Sequence, residues 1–408
     1  MRLTVRAVTV VVLLLALALV ARPRRAETLP LYAARQGLMC RSCHFDPNGG
    51  GPRNEFGFAF AKNRHSLDPD TSGAWKDLDL TNRVGEKMPV YLGLNQRFML
   101  LANTTTRTDS LDRLGFFNME NALYVVFQPH PRLTLVYSRD GFDAGAVTQD
   151  AFGMIGGLPG DAYLKAGRFR TPFGLRMDDH TVATRNSFLE FQSGATFLPY
   201  DPRRPDMGFE VGADHGALFG RAALTNGASR VFGPEPFADA VSAKLGYSHA
   251  QGQAAISFYD DYLKGDTGPF RRATRWALYA LTHWRRLAFV GEAGAGTDRE
   301  IAGGRLNLFA GFAEADYQVA RSINLRVRYD LFQGDRDGTP VQRPDGSAVT
   351  RRDLATYQRY ALEGEVVPVP FAELRWTLRF IDARAAADAL GNPLKTEKQA
   401  YLQCHFSY

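Results

Sequence analysis

Three observations predict a mainly β chain, an outer-membrane antiparallel β-barrel of about 16 strands with a small N-terminal segment acting as its plug. Stretches of about ten residues alternate apolar and polar side chains again and again. The connections between them are by turns short and long. An export signal opens the chain, and no later apolar run reaches the length of a spanning helix, so a membrane crossing would have to be made by strands. The 408 residues are 45% hydrophobic and 12% aromatic, enough for a large fold, and 3 cysteines are too few for a disulfide scaffold. The net charge of +6 comes from dispersed Lys and Arg. With an export signal, that dispersion argues against a nucleic-acid partner and for a basic lumen.

The elements follow in chain order. Residues 1–21 read as a signal peptide: two arginines lie within Met1 to Arg6, an apolar run extends from Ala7 to Ala21, and Arg22-Pro23-Arg24-Arg25 follows. The run is shorter than the roughly 20 residues of a membrane anchor. Cleavage near Ala21 sends the N-terminus of the mature chain to the periplasm.

Residues 22–88 form a short segment rich in glycine and aromatics, too small for a comfortable core of its own. It contains Cys40-Arg41-Ser42-Cys43-His44, the C-x-x-C-H attachment pattern of one covalent haem c. Two thiols three positions apart reach the two vinyl groups of one haem, and the next residue supplies the proximal imidazole. A redox dithiol would need a βαβ context, and a zinc site would need two further Cys or His at ligand spacing. Cys404 reads as a small apolar residue on the lipid face of the last strand.

For the distal position on the iron, His65 is the first candidate. It follows a glycine loop, Gly49 to Gly51, and a short helix expected to open at Pro52. Met88 is the second candidate, and Met39, just before the first cysteine, is held on the proximal side. Phe56, Phe58 and Phe60 are expected in the pocket wall, with Phe56 and Phe60 assigned to the haem.

Residues 89–408 carry the barrel pattern. In the last segment Ala400, Leu402, Cys404, Phe406 and Tyr408 face one way and Gln399, Tyr401, Gln403, His405 and Ser407 the other. Leu325, Val327 and Tyr329 alternate with Asn324, Arg326, Arg328 and Asp330. Leu374, Trp376, Leu378 and Phe380 alternate with Glu373, Arg375, Thr377 and Arg379. Burying such arginines in a soluble sandwich or propeller would be costly.

Short connections at Gln128–Pro131, Ser248–Gln251, His283–Arg286, Ala320–Ser322 and Pro368–Pro370 alternate with long ones at Ala102–Gly115, Gly141–Gly160, Gln333–Ala355 and Ala383–Thr396. The alternation fails between Gly174 and Asp206, and a strand over Thr181–Gln192 restores it, bringing the count to about sixteen with both ends periplasmic. Lumen-facing Arg97, Arg326, Arg328, Arg375 and Arg379 would neutralise haem propionates, surround the plug, or simply form the polar lining of a porin.

Two stretches resemble known families. Gly167-Arg168-Phe169-Arg170-Thr171-Pro172-Phe173-Gly174 resembles the G-x-F-x-x-P-F-G segment of phosphate-selective porins. Pro30-Leu31-Tyr32-Ala33-Ala34-Arg35-Gln36-Gly37, then Cys40 to His44, then Phe56-Gly57 and Phe60, resemble the pattern of the fused monohaem cytochrome-porins of the bacterial outer membrane, the family that includes iron(II)-oxidising cytochromes. The chain departs from that pattern by an extra alanine before Arg35, an inserted stretch from Asp46 to Asn54, and Phe58 in place of arginine.

The resemblance implies an outer-membrane electron-transfer protein, in contact with lipid, that passes electrons between an extracellular donor, most directly iron(II), and a periplasmic carrier. Iron(II) oxidation is the one enzyme class it leaves open. Loop carboxylates Asp140, Asp143, Asp335 and Asp337 would attract a cation to the outer mouth. Three alternatives remain: electron export to an external acceptor, a solute-diffusing porin with a regulatory haem segment, and a soluble periplasmic cytochrome. No hydrolase triad or nucleotide loop stands out.

Overall fold

The computed structural model describes residues 30–70, 73, 75, 78–87, 89–105, 113–141, 147–175, 183–184, 204–227, 238–262, 270–300, 305–336, 340–342, 348–350, 353–385 and 396–408. The expected signal peptide, Met88, Asp143 and Asp337 lie outside them.

Sixteen strands make the wall: β1 (Val90–Thr105), β2 (Arg113–His130), β3 (Leu133–Asp140), β4 (Val147–Leu158), β5 (Ala162–Arg170), β6 (Pro205–His215), β7 (Leu218–Thr225) and β8 (Ala240–His249) form the first half. The second half is β9 (Gly252–Tyr262), β10 (Phe270–Trp284), β11 (Leu287–Glu300), β12 (Arg305–Ala320), β13 (Ile323–Arg336), β14 (Asp353–Val369), β15 (Ala372–Ala385) and β16 (Glu397–Ser407). Each pairs antiparallel with the next, and β16 pairs with β1 from Glu397↔Thr105 to Ser407↔Asn95, so the sheet closes. Closure leaves no sheet edge, which is the condition for strands to cross lipid.

The expected faces are the observed ones. Leu325, Val327, Leu374, Trp376, Leu378, Leu402 and Phe406 are exposed, whereas Asn324, Arg326, Arg328, Asp330, Glu373, Gln399 and Gln403 are buried inside. The outward apolar band suits lipid. Cys404 lies opposite Phe98 and Leu374 in the ladder, both exposed outward.

At one end of the barrel the connections are two or three residues long: Pro131–Arg132, Pro159–Asp161, Gly216–Ala217, Ala250–Gln251, Arg285–Arg286, Arg321–Ser322 and Pro370–Phe371. Asp161, Arg285, Ser322 and Phe371 take positive φ to make these turns. All the longer connections are at the other end, the asymmetry of a barrel with periplasmic turns and external loops.

Two strand assignments need correction. Gly141–Gly160 is not one long loop, because β4 runs through it, its alternation masked by Gly153, Gly156 and Gly157. No wall strand fits between Gly174 and Asp206, because β5 pairs directly with β6 from Arg170↔Pro205 to Tyr163↔Gly212. Of Thr181–Gln192 only Ala183 and Thr184 lie within the described residues, in a turn. One missed strand and one surplus strand left the count at sixteen.

The described residues of the β5–β6 connection lie inside the barrel. Phe173 packs with Ala240, Tyr259 and Ala277, Leu175 joins a cluster that includes Ala33 and Ala34, and Ala183 sits among Leu306, Phe332, Tyr357 and Ile381. Part of the lumen is therefore apolar, a feature that a polar-inside reading does not anticipate.

Among the described residues three short helices precede the barrel: α1 (Pro30–Gln36), α2 (Cys40–Cys43) and α3 (Glu55–Lys62). They rest against inward-facing wall residues. The Arg35 guanidinium meets Asp316 at 2.6 Å and Glu365 at 2.9 Å, and Tyr32 donates to Glu373 at 3.2 Å. Arg41 meets Asp214 at 2.9 Å, and Asn48 donates to Glu210 at 2.8 Å. Lys165, fully buried on β5, lies 3.1 Å from both Asp46 and Glu210, over the rings of Phe152 and Phe169. Phe58 packs on Phe371 and on Tyr408, the terminal aromatic, which therefore serves the inner segment as well as the barrel rim. Having too little apolar surface for a core of its own, the segment uses the wall as one.

Candidate functional site

The C-x-x-C-H residues sit at a compact crossing. Cys40 and Cys43 are one helical turn apart on α2 and are not bridged to each other. Gly49, Gly50 and Gly51 all take positive φ and return the chain onto α2. A Cβ on Gly49 would meet Cys40 Sγ at 3.1 Å and Cβ at 2.9 Å, so only glycine fits there. Phe45 N–H then donates to Pro52 O at 3.3 Å, and Asn54 N–H to Cys43 O at 2.9 Å.

Asn54 caps α3, its Oδ1 accepting from Gly57 N–H at 2.9 Å while its Nδ2 donates to Arg41 O at 3.3 Å. The helix expected to open at Pro52 therefore begins at Glu55, because the capping side chain sits at 54. α3 crosses α2 at Gly57, where a side chain would collide with the Cys43 backbone at 2.2 Å.

His44 is buried, with Nδ1 3.2 Å from Gly51 O. A carbonyl at Nδ1 fixes the tautomer that presents Nε2 as a ligand, the usual arrangement of a metal-bound imidazole. His65 returns beside it by a strained turn: Arg64 and His65 both have left-handed φ, 55° and 54°, a conformation that costs non-glycine residues about 1 kcal/mol or more each. The β12–β13 turn braces this bend. Ser322 Oγ donates to Arg64 O at 2.8 Å, and Arg321 donates to Asn63 Oδ1 at 2.6 Å.

His65 is only 7% exposed, stacked on Phe60 at 5.7 Å and tilted against Tyr32 at 4.5 Å, and neither ring nitrogen has a hydrogen-bond partner. Burial pushes its pKa down to about 3, helped by the nearby Arg53 charge, so the imidazole is neutral at physiological pH. An orphaned buried imidazole is costly unless something ligates it.

His44 and His65 line one cavity of about 170 Å³, together with Arg53, Arg97, Arg375 and His405. His44 also borders a second cleft of about 490 Å³ at the turn end, lined by Phe45, Phe56, Tyr91 and Met154. The residues thus fit a covalently held haem in the thiol spacing, the oriented His44 and the unpartnered His65. They depart from it in the small size of the cavity that both histidines line and in the place of the thiols. The thiols stand behind the lumen cavity: Cys40 borders a small void with Met39, Lys244 and Tyr279, and Cys43 is buried under α3.

The chain matches no protein-family model and no curated protein. Solved structures, however, are similar over most of the barrel. An anion-selective porin from Comamonas acidovorans matches with a TM-score of 0.56 at 11% identity, covering 79% of this chain and 100% of that one. The outer membrane channel DcaP of Acinetobacter baumannii matches with a TM-score of 0.56 at 12% identity, covering 79% and 97%. OprB of Pseudomonas putida matches with a TM-score of 0.54 at 10% identity, covering 78% and 94%. The fold is that of an outer-membrane porin. Its closed wall and outward apolar band belong in the bacterial outer membrane.

Within that fold the expected site residues separate. His44, His65 and Phe60 come together. Phe56 shares the turn-end cleft with His44, 45% exposed, and does not line the cavity of His65, because Phe60 lies one helical turn deeper in the barrel. Phe58 points away from both, toward Phe371.

The arginines do face inward, and carboxylates meet them. Arg97 pairs with Glu120, Arg326 with Glu314, Glu363 and Glu365, Arg328 with Asp330, and Arg375 with Glu373, while Arg379 lies over the Tyr401 ring. The lumen is therefore a network of opposite charges rather than simply basic. Glu363 and Glu365 share the inward phase of β14, which is the signal that could have revealed them. Asp140 accepts from Asn121 N–H at 3.1 Å, which occupies it within the wall, and the Asp335 side chain lies outside the described residues.

Proposed function

We propose that the protein is an outer-membrane electron conduit, with one haem c on Cys40 and Cys43, His44 as proximal ligand and His65 as distal ligand. Electrons pass between an extracellular donor, iron(II) in the specific version, and a periplasmic carrier. The observation that carries the reading is that the segment bearing C-x-x-C-H lies against the lumen wall, where its His44 shares a cavity with a buried, doubly unpartnered His65.

When bound, the haem supplies one-electron exchange at iron, and two histidine ligands favour a lower potential than a His–Met pair. The chain's own residues do the rest. Gly51 O orients His44, burial keeps His65 neutral, and the wall separates the site from lipid. The ion pairs through Arg35 and Lys165 hold the segment in register with the wall.

The test is stopped-flow absorbance of the oxidised protein, purified in detergent from a host that attaches haem, mixed with iron(II). Rapid growth of reduced c-type bands, absent in Cys43→Ala, is the expected result. A haem that stays oxidised with iron(II) but exchanges electrons with an external acceptor would turn the direction outward.

A second reading is favoured by the comparisons: solved structures of this fold are porins and channels, so a solute-diffusing porin with a regulatory haem segment is the competing function. Solute flux through the reconstituted protein, with no response of the haem to any external redox partner, would establish it.

A further inference from the structure

On four consecutive strands the outward face changes character in the same order toward the loop end. The sequence is Phe258, Asp260, Tyr262 on β9, Trp276, Thr274, Arg272 on β10, Ala295, Thr297, Arg299 on β11 and Phe309, Asn307, Arg305 on β12. The register sets like against like. Phe258, Trp276, Ala295 and Phe309 are successive ladder partners, as are Asp260, Thr274, Thr297 and Asn307, and then Tyr262, Arg272, Arg299 and Arg305.

The first level belongs to the apolar band, the Phe258 and Trp276 rings lying 4.6 Å apart. The second is tied sideways: Thr274 Oγ1 donates to Asp260 at 2.7 Å, and Thr297 Oγ1 to Asn307 Oδ1 at 3.1 Å. At the third, Tyr262, Arg272, Arg299 and Arg305 are all exposed, where a barrel meets the headgroup layer. Like charges directly opposite one another destabilise a sheet, so three adjoining arginines call for anions. Asp260 accepts from Arg272 at 3.0 and 2.7 Å and lies in the field of Arg299 as well. Among the described residues no carboxylate forms an ion pair with Arg299 or Arg305. Asp335, opposite Asn307 on β13, is the next carboxylate in this phase. Counted with Asp260, it still leaves the row one cation in excess.

We propose that Arg272, Arg299 and Arg305 bind the phosphate of an acylated lipid in the outer leaflet, whose chains lie on the apolar level beside them. The guanidinium fork matches phosphate oxygens, and the lipid-facing direction of the row selects a headgroup over a soluble anion. The site lies on the outside of the wall and does not depend on what the lumen carries, so it holds for a conduit and for a porin alike.

The experiment is native mass spectrometry of the full-length protein in neutral detergent. It is titrated with a bisphosphorylated, acylated disaccharide lipid, with the dephosphorylated form of that lipid, and with inorganic phosphate. The phosphorylated lipid is expected to bind more tightly than its dephosphorylated form. Arg299→Gln is expected to weaken it about fivefold, the worth of one cation beside an anionic lipid surface, and Arg272→Gln/Arg299→Gln/Arg305→Gln about a hundredfold. Arg285→Gln/Arg286→Gln, which removes an exposed pair at the turn end, is expected to leave binding unchanged. If the triple variant fails to fold, the single Arg299→Gln decides.

Equal binding by the arginine variants and the unaltered protein, or of the two lipid forms, would overturn the site. An equal loss in the turn-end variant would also overturn it, by reducing the effect to general charge attraction. Displacement of the lipid by an equal concentration of inorganic phosphate would overturn the lipid as occupant in favour of a free anion.

Discussion

The wall and the segment inside it are built on opposite principles. Each wall strand is held by a continuous ladder to two neighbours, with lipid as the solvent for its outward apolar face. The segment from Pro30 to Ser66 has three short helices, three consecutive left-handed glycines, two left-handed non-glycine residues and few apolar neighbours of its own. It is held by ion pairs to the inside of the wall. The wall is thus self-sufficient and tolerant, whereas the segment depends on a few buried charges and on whatever occupies the space beside His65. That is the division expected where a rigid scaffold carries a demanding site.

Substitutions in the two regions should therefore fail differently. Lys165→Met leaves Asp46 and Glu210 buried without their cation, and removing one partner of a buried pair costs about 3–5 kcal/mol. The expected result is release of the segment, read as loss of its hydrogen-exchange protection, while the barrel keeps its strand content. Leu378→Arg tests the other region: a cation on the lipid face near mid-membrane costs about 2–4 kcal/mol, and reversible folding into vesicles should weaken by that amount with haem attachment unchanged. The smallest effect expected is for Asn54→Ala, which removes the α3 cap and costs about 1 kcal/mol. It should speed exchange of the α3 amides without moving the wall.

Most of the wall was legible because period-two alternation is a local property: the phases of β13, β15 and β16 could be read without knowing their partners. It failed where the local signal is weak. Glycines at 153, 156 and 157 hid β4, and the segment after Gly174 looked like wall because nothing local shows that Gly167 pairs directly with Gly208. The carboxylates that neutralise the lumen arginines come from neighbouring strands, so their pairing depends on register across the sheet.

In the segment, spacing made the approach of His65 to His44 legible, and the exposure of Phe56 was not. Phe56 and Phe60 lie on the same side of α3, and only the depth of the helix in the barrel separates an exposed ring from a buried one. The brace from Arg321 and Ser322 to the His65 bend joins positions 258 residues apart, beyond the reach of any motif.

The most direct test of the central claim is electron transfer across a sealed membrane. The haem-loaded protein is reconstituted into vesicles that trap a coloured electron acceptor too large to cross a porin, and iron(II) is added outside. The account predicts reduction of the trapped acceptor, lost in Cys40→Ala/Cys43→Ala, with no leakage of a small neutral sugar. A trapped acceptor that stays oxidised while the sugar equilibrates would contradict it and make the protein a diffusion porin.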